Sequence, residues 1–135
     1  MKKQAFVLDS YALLAYFFHE PGYSRVSALL SEASVDTVLY MSLMNCGEVY
    51  YRVRVRYNQA LAKKAWTDLG RLPINISRPT EQLVLASAEL KAVHRLPYLD
   101  AFTASLALAK KATIVTGDLD FQKVESLVAV DWLPR

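Results

Sequence analysis

The stretch TIVTGDLDF, residues 113–121, decides the fold class of this chain. Its first four residues are all β-branched, a residue type that favours strands, and the following Gly117 predicts a turn into a short helix. Asp118 therefore follows the carboxyl end of a short strand. In open sheets whose strands alternate with helices, ligands bind beyond the carboxyl ends of the strands, so Asp118 is a candidate site residue.

The beginning of the chain repeats this arrangement of a short apolar strand followed by an acid. In AFVLDS, residues 5–10, the first four residues form an apolar run that predicts a buried strand, and Asp9 follows it. Ser10 is expected to cap a helix that reaches about residue 19, before Pro21 and Gly22 stop it. Asp9 is therefore a second acid at the carboxyl end of a strand.

The rest of the chain alternates between strands and helices. Further strands are predicted at residues 37–41, 73–77 and 128–132, and helices at 24–33, 42–56, 60–69, 80–94 and 100–109. This alternation predicts an α/β fold with a mainly parallel central sheet of about five short strands, flanked by helices on both faces. The chain has 135 residues, and we expect residues 1–135 to form a single domain.

Composition narrows the class of protein. The one cysteine, Cys46, argues against a secreted protein stapled by disulfides, and the apolar stretches are too short to span a bilayer. The first apolar run is broken by Asp9 and Ser10, which do not fit the apolar region of a secretory signal. We therefore expect a cytoplasmic protein.

Two more acids are predicted to lie near the same edge of the sheet. Asp100 begins a predicted helix that is apolar nearly all round and is therefore expected to be buried. Glu48 lies about one and a half turns inside a long predicted helix, beside its apolar stripe, so its side chain can point into a cleft. Simpler explanations exist for each acid. Asp100 and Asp118 are at positions typical of helix N-caps, and Glu48 can pair with Arg52 four residues later.

Together, these acids predict a metal site. Four carboxylates at one end of a sheet repel one another and raise one another's pKa values unless a counter-charge is present. Oxygen ligands suit hard cations such as Mg²⁺ or Mn²⁺, which can activate water and stabilise charge on a phosphodiester. The net charge is +3; without the four acids it is +7, from 16 basic residues against 9 remaining acids. A basic body around an acidic pocket suits a polyanionic substrate.

Four short motifs, in this order along the chain, resemble those of the PIN domain family. They are VLDS at residues 7–10, NCGEV at 45–49, LDAF at 99–102 followed by alanines, and TGDLDF at 116–121. The resemblance implies metal-binding and catalytic roles for four acids, Asp9, Glu48, Asp100 and Asp118. It also implies that Ser10 and Thr116 line the site as hydrogen-bond donors and that Asp120 supplies an additional acid.

A compact PIN domain of this kind is similar to the VapC toxins of VapBC toxin–antitoxin modules. The similarity implies an endoribonuclease that uses Mg²⁺ or Mn²⁺ and cuts RNA, which in many relatives is tRNA or an rRNA loop. It also implies a homodimer and a VapB antitoxin whose C-terminal tail blocks the site. Two alternatives are a non-catalytic RNA-binding or scaffolding PIN module, and a housekeeping RNA-processing PIN nuclease without an antitoxin.

Basic and aromatic residues alternate in YYRVRVRY, residues 50–57, directly after Glu48. On a helix, Arg52 and Arg56 share a face with Glu48, so either side chain can reach a phosphate at the mouth of the site. The aromatic rings can stack on unpaired bases, as they do in RNA-binding proteins. The alternatives are a solvated arginine face, or a contact with the antitoxin or a second protomer.

Overall fold

The described part of the chain contains five strands and six α-helices, and a pair of helices follows each of the first three strands. A computed structural model describes residues 3–135, so Met1 and Lys2 lie outside the described residues. The strands are β1 (Gln4–Leu8), β2 (Thr37–Ser42), β3 (Asn75–Ser77), β4 (Thr113–Thr116) and β5 (Val130–Trp132). The helices are α1 (Ser10–Phe17), α2 (Tyr23–Glu32), α3 (Leu43–Arg56), α4 (Gln59–Arg71), α5 (Glu81–His94) and α6 (Tyr98–Lys110), and a 3₁₀ helix spans Leu119–Val124.

The strands form one sheet in the order β3-β2-β1-β4-β5, and every neighbouring pair is parallel. This confirms the predicted α/β fold with a parallel central sheet of five short strands. Strands β1 and β4 are neighbours, with Leu8 opposite Val115. The residues that directly follow this pair, Asp9 and Thr116, therefore lie side by side at the carboxyl edge of the sheet.

Helices cover both faces of the sheet, because side chains alternate between the faces along each strand. On one face Phe6 and Leu8 pack with the buried residues of α1, α2, α3 and α4. On the other face Val7 and Ile114 pack with α6 and the 3₁₀ helix. The carboxyl edge of the sheet is therefore reached by α1 and α3 from one face and by α6 from the other.

Two local predictions differ from the structure, and one is confirmed. Asp9, rather than Ser10, caps α1, because its carboxylate accepts a hydrogen bond from the backbone N–H of Ala12 at 2.9 Å. Helix α4 ends at Arg71 rather than at residue 69. Helix α3, capped by Ser42, ends at Arg56 as predicted. Within residues 3–135, no helix combines the length and the apolar character that crossing a membrane requires.

Candidate metal centre

Asp9 is held at the carboxyl end of β1 by two hydrogen bonds. One carboxylate oxygen accepts from the backbone N–H of Ala12, and the other accepts from the hydroxyl of Thr116 at 2.5 Å. The residue is only 3% exposed. Burial raises the pKa of Asp9 to about 7; its two hydrogen bonds lower it, while the nearby charges of Asp118 and Glu48 raise it further. The carboxyl group is therefore fixed in position but costly to ionise.

Asp100 lies in the first turn of α6 and is 8% exposed. The helix begins two residues earlier, at Tyr98, and the cap position is occupied by Pro97 without a side-chain hydrogen bond. The simpler explanation of Asp100 as a helix N-cap is therefore wrong. Its buried Oδ2 atom has no hydrogen-bond partner among residues 3–135, an unusual state for a buried carboxylate oxygen.

The electrostatic surroundings of Asp100 are strongly negative. Burial raises the pKa of this carboxyl group to about 8, and the charges of the neighbouring acids add to the effect. In order of decreasing influence, these acids are Asp118, Asp9, Asp120 and Glu48. The charges of the other three acids predicted from the sequence, and that of Asp120, therefore all act on Asp100.

Asp118 and Asp120 complete the closest group of acids. Carboxylate oxygens of Asp100, Asp118 and Asp120 all lie within 4.8 Å of one another. The Asp118 side chain also accepts a hydrogen bond from the backbone N–H of Asp120, so it caps the 3₁₀ helix and faces the site at the same time. Asp120 is in addition paired with Lys123 at 3.1 Å.

Thr116 connects two of these acids. Its hydroxyl accepts a hydrogen bond from the backbone N–H of Asp118 at 2.9 Å and donates its own proton to Asp9. The residue is fully buried at the end of β4. One hydroxyl therefore fixes the position of Asp9 relative to the chain segment that carries Asp118.

Glu48 approaches the site from α3. Its side chain is 19% exposed, and Arg52 lies 3.5 Å away in the i,i+4 pair that the sequence allowed as the simpler explanation. The charge of Glu48 nevertheless raises the pKa values of both Asp9 and Asp100. Glu48 therefore lies at the side of the site, outside the closest group formed by Asp100, Asp118 and Asp120.

This set of donors fits a hard divalent cation. Oxygen ligands of carboxylate type are those that Mg²⁺ and Mn²⁺ prefer, and none of the described residues forms a hydrogen bond with the buried Oδ2 atom of Asp100. Without a counter-charge, Asp9 and Asp100 retain protons near neutral pH because of their raised pKa values. A cation at this position offsets both the cost of burying the charged carboxylates and their mutual repulsion.

The Ser10 hydroxyl, which the resemblance places at the site as a hydrogen-bond donor, forms its hydrogen bonds with Asn45. This hydroxyl donates to the backbone carbonyl of Asn45 at 3.2 Å and accepts from the Asn45 side-chain amide at 3.1 Å. Asn45 was not among the predicted site residues, although it lies in the motif around Glu48. A polar residue about one turn before Glu48 on the same helix was the available signal, but its partners come from other helices.

Arg52 and Arg56 line a groove between α1 and α3 with a volume of about 420 Å³. Both side chains are 60% exposed. Arg56 pairs with Glu20 at 3.4 Å and lies over the rings of Phe18 and Tyr57. The groove therefore presents two guanidinium groups and apolar surface next to Glu48.

Comparison with known proteins identifies the family. Residues 6–127 match the model of the PIN domain family. The fold is similar to VapBC2 from Rickettsia felis bound to a DNA fragment from its promoter, with 16% identity, a TM-score of 0.75, and coverage of 97% of this chain and 100% of that chain. VapBC-1 from nontypeable Haemophilus influenzae is 18% identical with a TM-score of 0.74, and the match covers 96% of this chain and 98% of that chain.

A third similar structure is the sarcin–ricin-loop-cleaving toxin VapC20 from Mycobacterium tuberculosis. Here the identity is 16% and the TM-score 0.77, with coverage of 96% of this chain and 99% of that chain. At identities this low, the three similarities establish the fold alone. No curated protein sequence matches the chain.

Proposed function

Because this chain belongs to the PIN domain family, we propose that it is a divalent-metal-dependent endoribonuclease and the toxin of a VapBC-type toxin–antitoxin pair. One observation carries the nuclease part of the proposal. Three carboxylates, those of Asp100, Asp118 and Asp120, come within 4.8 Å of one another, and a buried oxygen of Asp100 has no hydrogen-bond partner in the part of the chain that the structure describes. Such a group of acids is suited to a cation and to the phosphate chemistry that a cation supports.

In the proposed enzyme four acids, Asp9, Glu48, Asp100 and Asp118, hold Mg²⁺ or Mn²⁺, with Asp120 beside them. When bound, such a cation would lower the pKa of a water molecule and stabilise negative charge on the phosphodiester. The chain's own contribution is to keep the acids in place. The Thr116 hydroxyl donates to the carboxylate of Asp9 and accepts from the backbone N–H of Asp118. Neither acid therefore has to be reoriented when substrate binds.

We assign RNA contact to Arg52 and Arg56, whose exposed guanidinium groups line the groove beside Glu48. A contact to phosphate weakens with salt, so replacing each arginine with alanine is expected to reduce the salt dependence of RNA binding by about one unit of slope. Arg54 lies on the same helix but outside the groove, so Arg54→Ala is the matched control. Unchanged RNA binding and salt dependence in Arg52→Ala and Arg56→Ala would refute the assignment.

The proposed partners are a VapB-like antitoxin and a second copy of this chain. The antitoxin is supported by the fold similarity to VapBC complexes, and a small antitoxin gene directly upstream would support it further. The homodimer is supported by exposed apolar side chains, since Val93 (68% exposed) and Leu108 (42%) line a groove of about 670 Å³ between α5 and α6. We expect light scattering to give twice the mass of the chain for the wild type and the mass of a single chain for Val93→Lys.

The proposed toxin is a single domain, residues 1–135, that acts on tRNA or rRNA in the cytoplasm. The nuclease part is tested with the purified chain and total RNA, in EDTA and in Mn²⁺. We expect discrete cleavage products with Mn²⁺, none with EDTA, and none from Asp118→Asn in either buffer. RNA binding without cleavage under all conditions would instead identify a non-catalytic RNA-binding module. Cleavage by a chain that has no antitoxin gene beside its own would identify a housekeeping nuclease.

A further inference from the structure

A buried group of polar side chains connects α1, α3 and α6 near the carboxyl edge of the sheet. Asn45, Ser10 and Thr103 are 1%, 4% and 0% exposed. The Asn45 side-chain amide donates to the Ser10 hydroxyl at 3.1 Å, and its carbonyl oxygen accepts from the Thr103 hydroxyl at 3.0 Å. The Ser10 hydroxyl donates in turn to the backbone carbonyl of Asn45 at 3.2 Å. We call these three residues the Asn45 network.

The hydrogen bonds of the Asn45 network determine one another's direction. Because the Ser10 hydroxyl gives its single proton to the backbone carbonyl of Asn45, it can only accept from the Asn45 side chain. The amide nitrogen of Asn45 must therefore face Ser10, which leaves the amide oxygen facing Thr103. Thr103 must then be the donor. Exchange of one member for an apolar residue leaves a buried polar group without a partner.

The Asn45 network joins helices from the two faces of the sheet. Ser10 and Asn45 lie on α1 and α3, which pack on one face, whereas Thr103 lies on α6, which packs on the other. Apolar packing fixes each helix against its own face, but it does not by itself set the distance between helices that meet beyond the edge of the sheet. The Asn45 side chain connects α3 and α6 at that place.

Each member of the Asn45 network is close in sequence to one of the acids. Ser10 directly follows Asp9, Asn45 precedes Glu48 by three residues, and Thr103 follows Asp100 by three residues. Three residues are about one helical turn, so a shift of α3 relative to α6 moves Glu48 relative to Asp100.

We propose that Asn45 is a positioning residue, which sets the spacing of Glu48 and Asp100 through its hydrogen bonds to Ser10 and Thr103. The inference rests on the proposed function, because it assumes that these acids bind a divalent cation. Groups behind metal ligands commonly affect metal affinity about 10- to 100-fold when they are replaced. We therefore expect the Asn45 network to affect cation affinity more than it affects the stability of the fold.

The test measures Mn²⁺ binding to the full chain by titration with electron paramagnetic resonance, alongside thermal unfolding. Thr103→Val keeps the shape of the side chain and removes the donor, whereas Thr103→Ser keeps the donor. Ser105→Ala is the matched control, because Ser105 is also buried on α6 and exchanges a 3.0 Å hydrogen bond with Ser87 of α5, away from the acids. Asn45→Ala is measured as well, and Thr103→Val keeps the test decisive if that variant does not fold.

We expect Thr103→Val to weaken Mn²⁺ binding about tenfold or more. Thr103→Ser should keep the affinity of the wild type, and so should Ser105→Ala, even where its thermal midpoint falls as much as that of Thr103→Val. Equal Mn²⁺ affinity in Thr103→Val and the wild type, or an equal loss in Ser105→Ala, would overturn the inference.

The measurement needs no RNA substrate, so the two proposals can fail separately. If the wild type binds Mn²⁺, Thr103→Val binds it more weakly and neither cleaves RNA, the nuclease function is wrong and the positioning role stands. If the wild type binds no Mn²⁺, both proposals are wrong.

Discussion

Replacing Asp100 with asparagine is expected to stabilise the metal-free protein while it removes a ligand of the proposed cation. Burial and neighbouring charges raise the pKa of Asp100 from 3.8 to about 8. As pH rises from about 4, the unfolded chain releases this proton while the folded protein keeps it until about pH 8. The folded state therefore binds more protons in this range, and the free energy of unfolding falls as pH rises. Because asparagine carries no charge, the Asp100→Asn variant does not lose this part of the free energy of unfolding as pH rises.

The size of the effect follows from the pKa difference. About four pH units separate the two values, and each unit corresponds to about 1.4 kcal/mol, which sets an upper limit of about 5 kcal/mol at pH 8. Part of this free energy is repulsion that Asp9 can relieve by keeping its own proton, because its pKa is raised to about 7. We expect a gain of about 2 kcal/mol at pH 8, or roughly 5–10 °C in Tm.

The assay is thermal unfolding of the metal-free wild type and of Asp100→Asn between pH 4 and pH 8.5. The difference in Tm should be small near pH 4, grow with pH and level off above about pH 8. Asp68→Asn is the control, since Asp68 is partly exposed and pairs with Lys64 at 2.8 Å, so its replacement should bring no gain. An Asp100→Asn protein that is less stable than the wild type at pH 8 would refute the reasoning.

Two further predictions concern residues beside the metal site. In Gly117→Ala the new Cβ would lie 2.4 Å from ring atoms of Tyr11; this overpacking should cost about 1–3 kcal/mol in unfolding experiments and weaken Mn²⁺ binding by displacing Asp118. If Gly117→Ala causes smaller losses in the Tyr11→Ala background than in the wild type, the ring is the cause. Equal losses in the two backgrounds would exclude the ring. Burial raises the pKa of Cys46 to about 11, so iodoacetamide at pH 8 should modify this thiol only in denaturant, and rapid modification of the folded protein would contradict its burial.

The fold was predictable because its signals are local. The β-branched run that forms β4 and the apolar run that forms β1 are each followed by an acid, and parallel strands place their carboxyl ends at one edge. That rule was enough to bring Asp9 and Asp118 together. The helix that carries Asp100 was also evident from its apolar composition, although it begins at Tyr98 rather than at the acid.

The details of the site were not predictable, because they depend on how separate helices meet. The resemblance named Asp120 as an additional acid, but nothing local indicates that Asp120 belongs to the closest group of acids whereas Glu48 lies outside that group. The Ser10 hydroxyl likewise points to Asn45, 35 residues away in sequence, and the partner of Asn45 on α6 is a further 58 residues along. The second of these contacts links helices on opposite faces of the sheet, and residue spacing carries no record of either contact.

The central claim, that these acids make the chain a metal-dependent ribonuclease, is tested most directly inside cells. The wild type, Asp100→Asn and the control Asp68→Asn are each induced in a bacterial host, and new RNA 5′ ends are mapped across the transcriptome. We predict discrete new ends with the wild type and with Asp68→Asn, and none with Asp100→Asn. The same new ends with Asp100→Asn, or none with a folded wild type, would contradict the account.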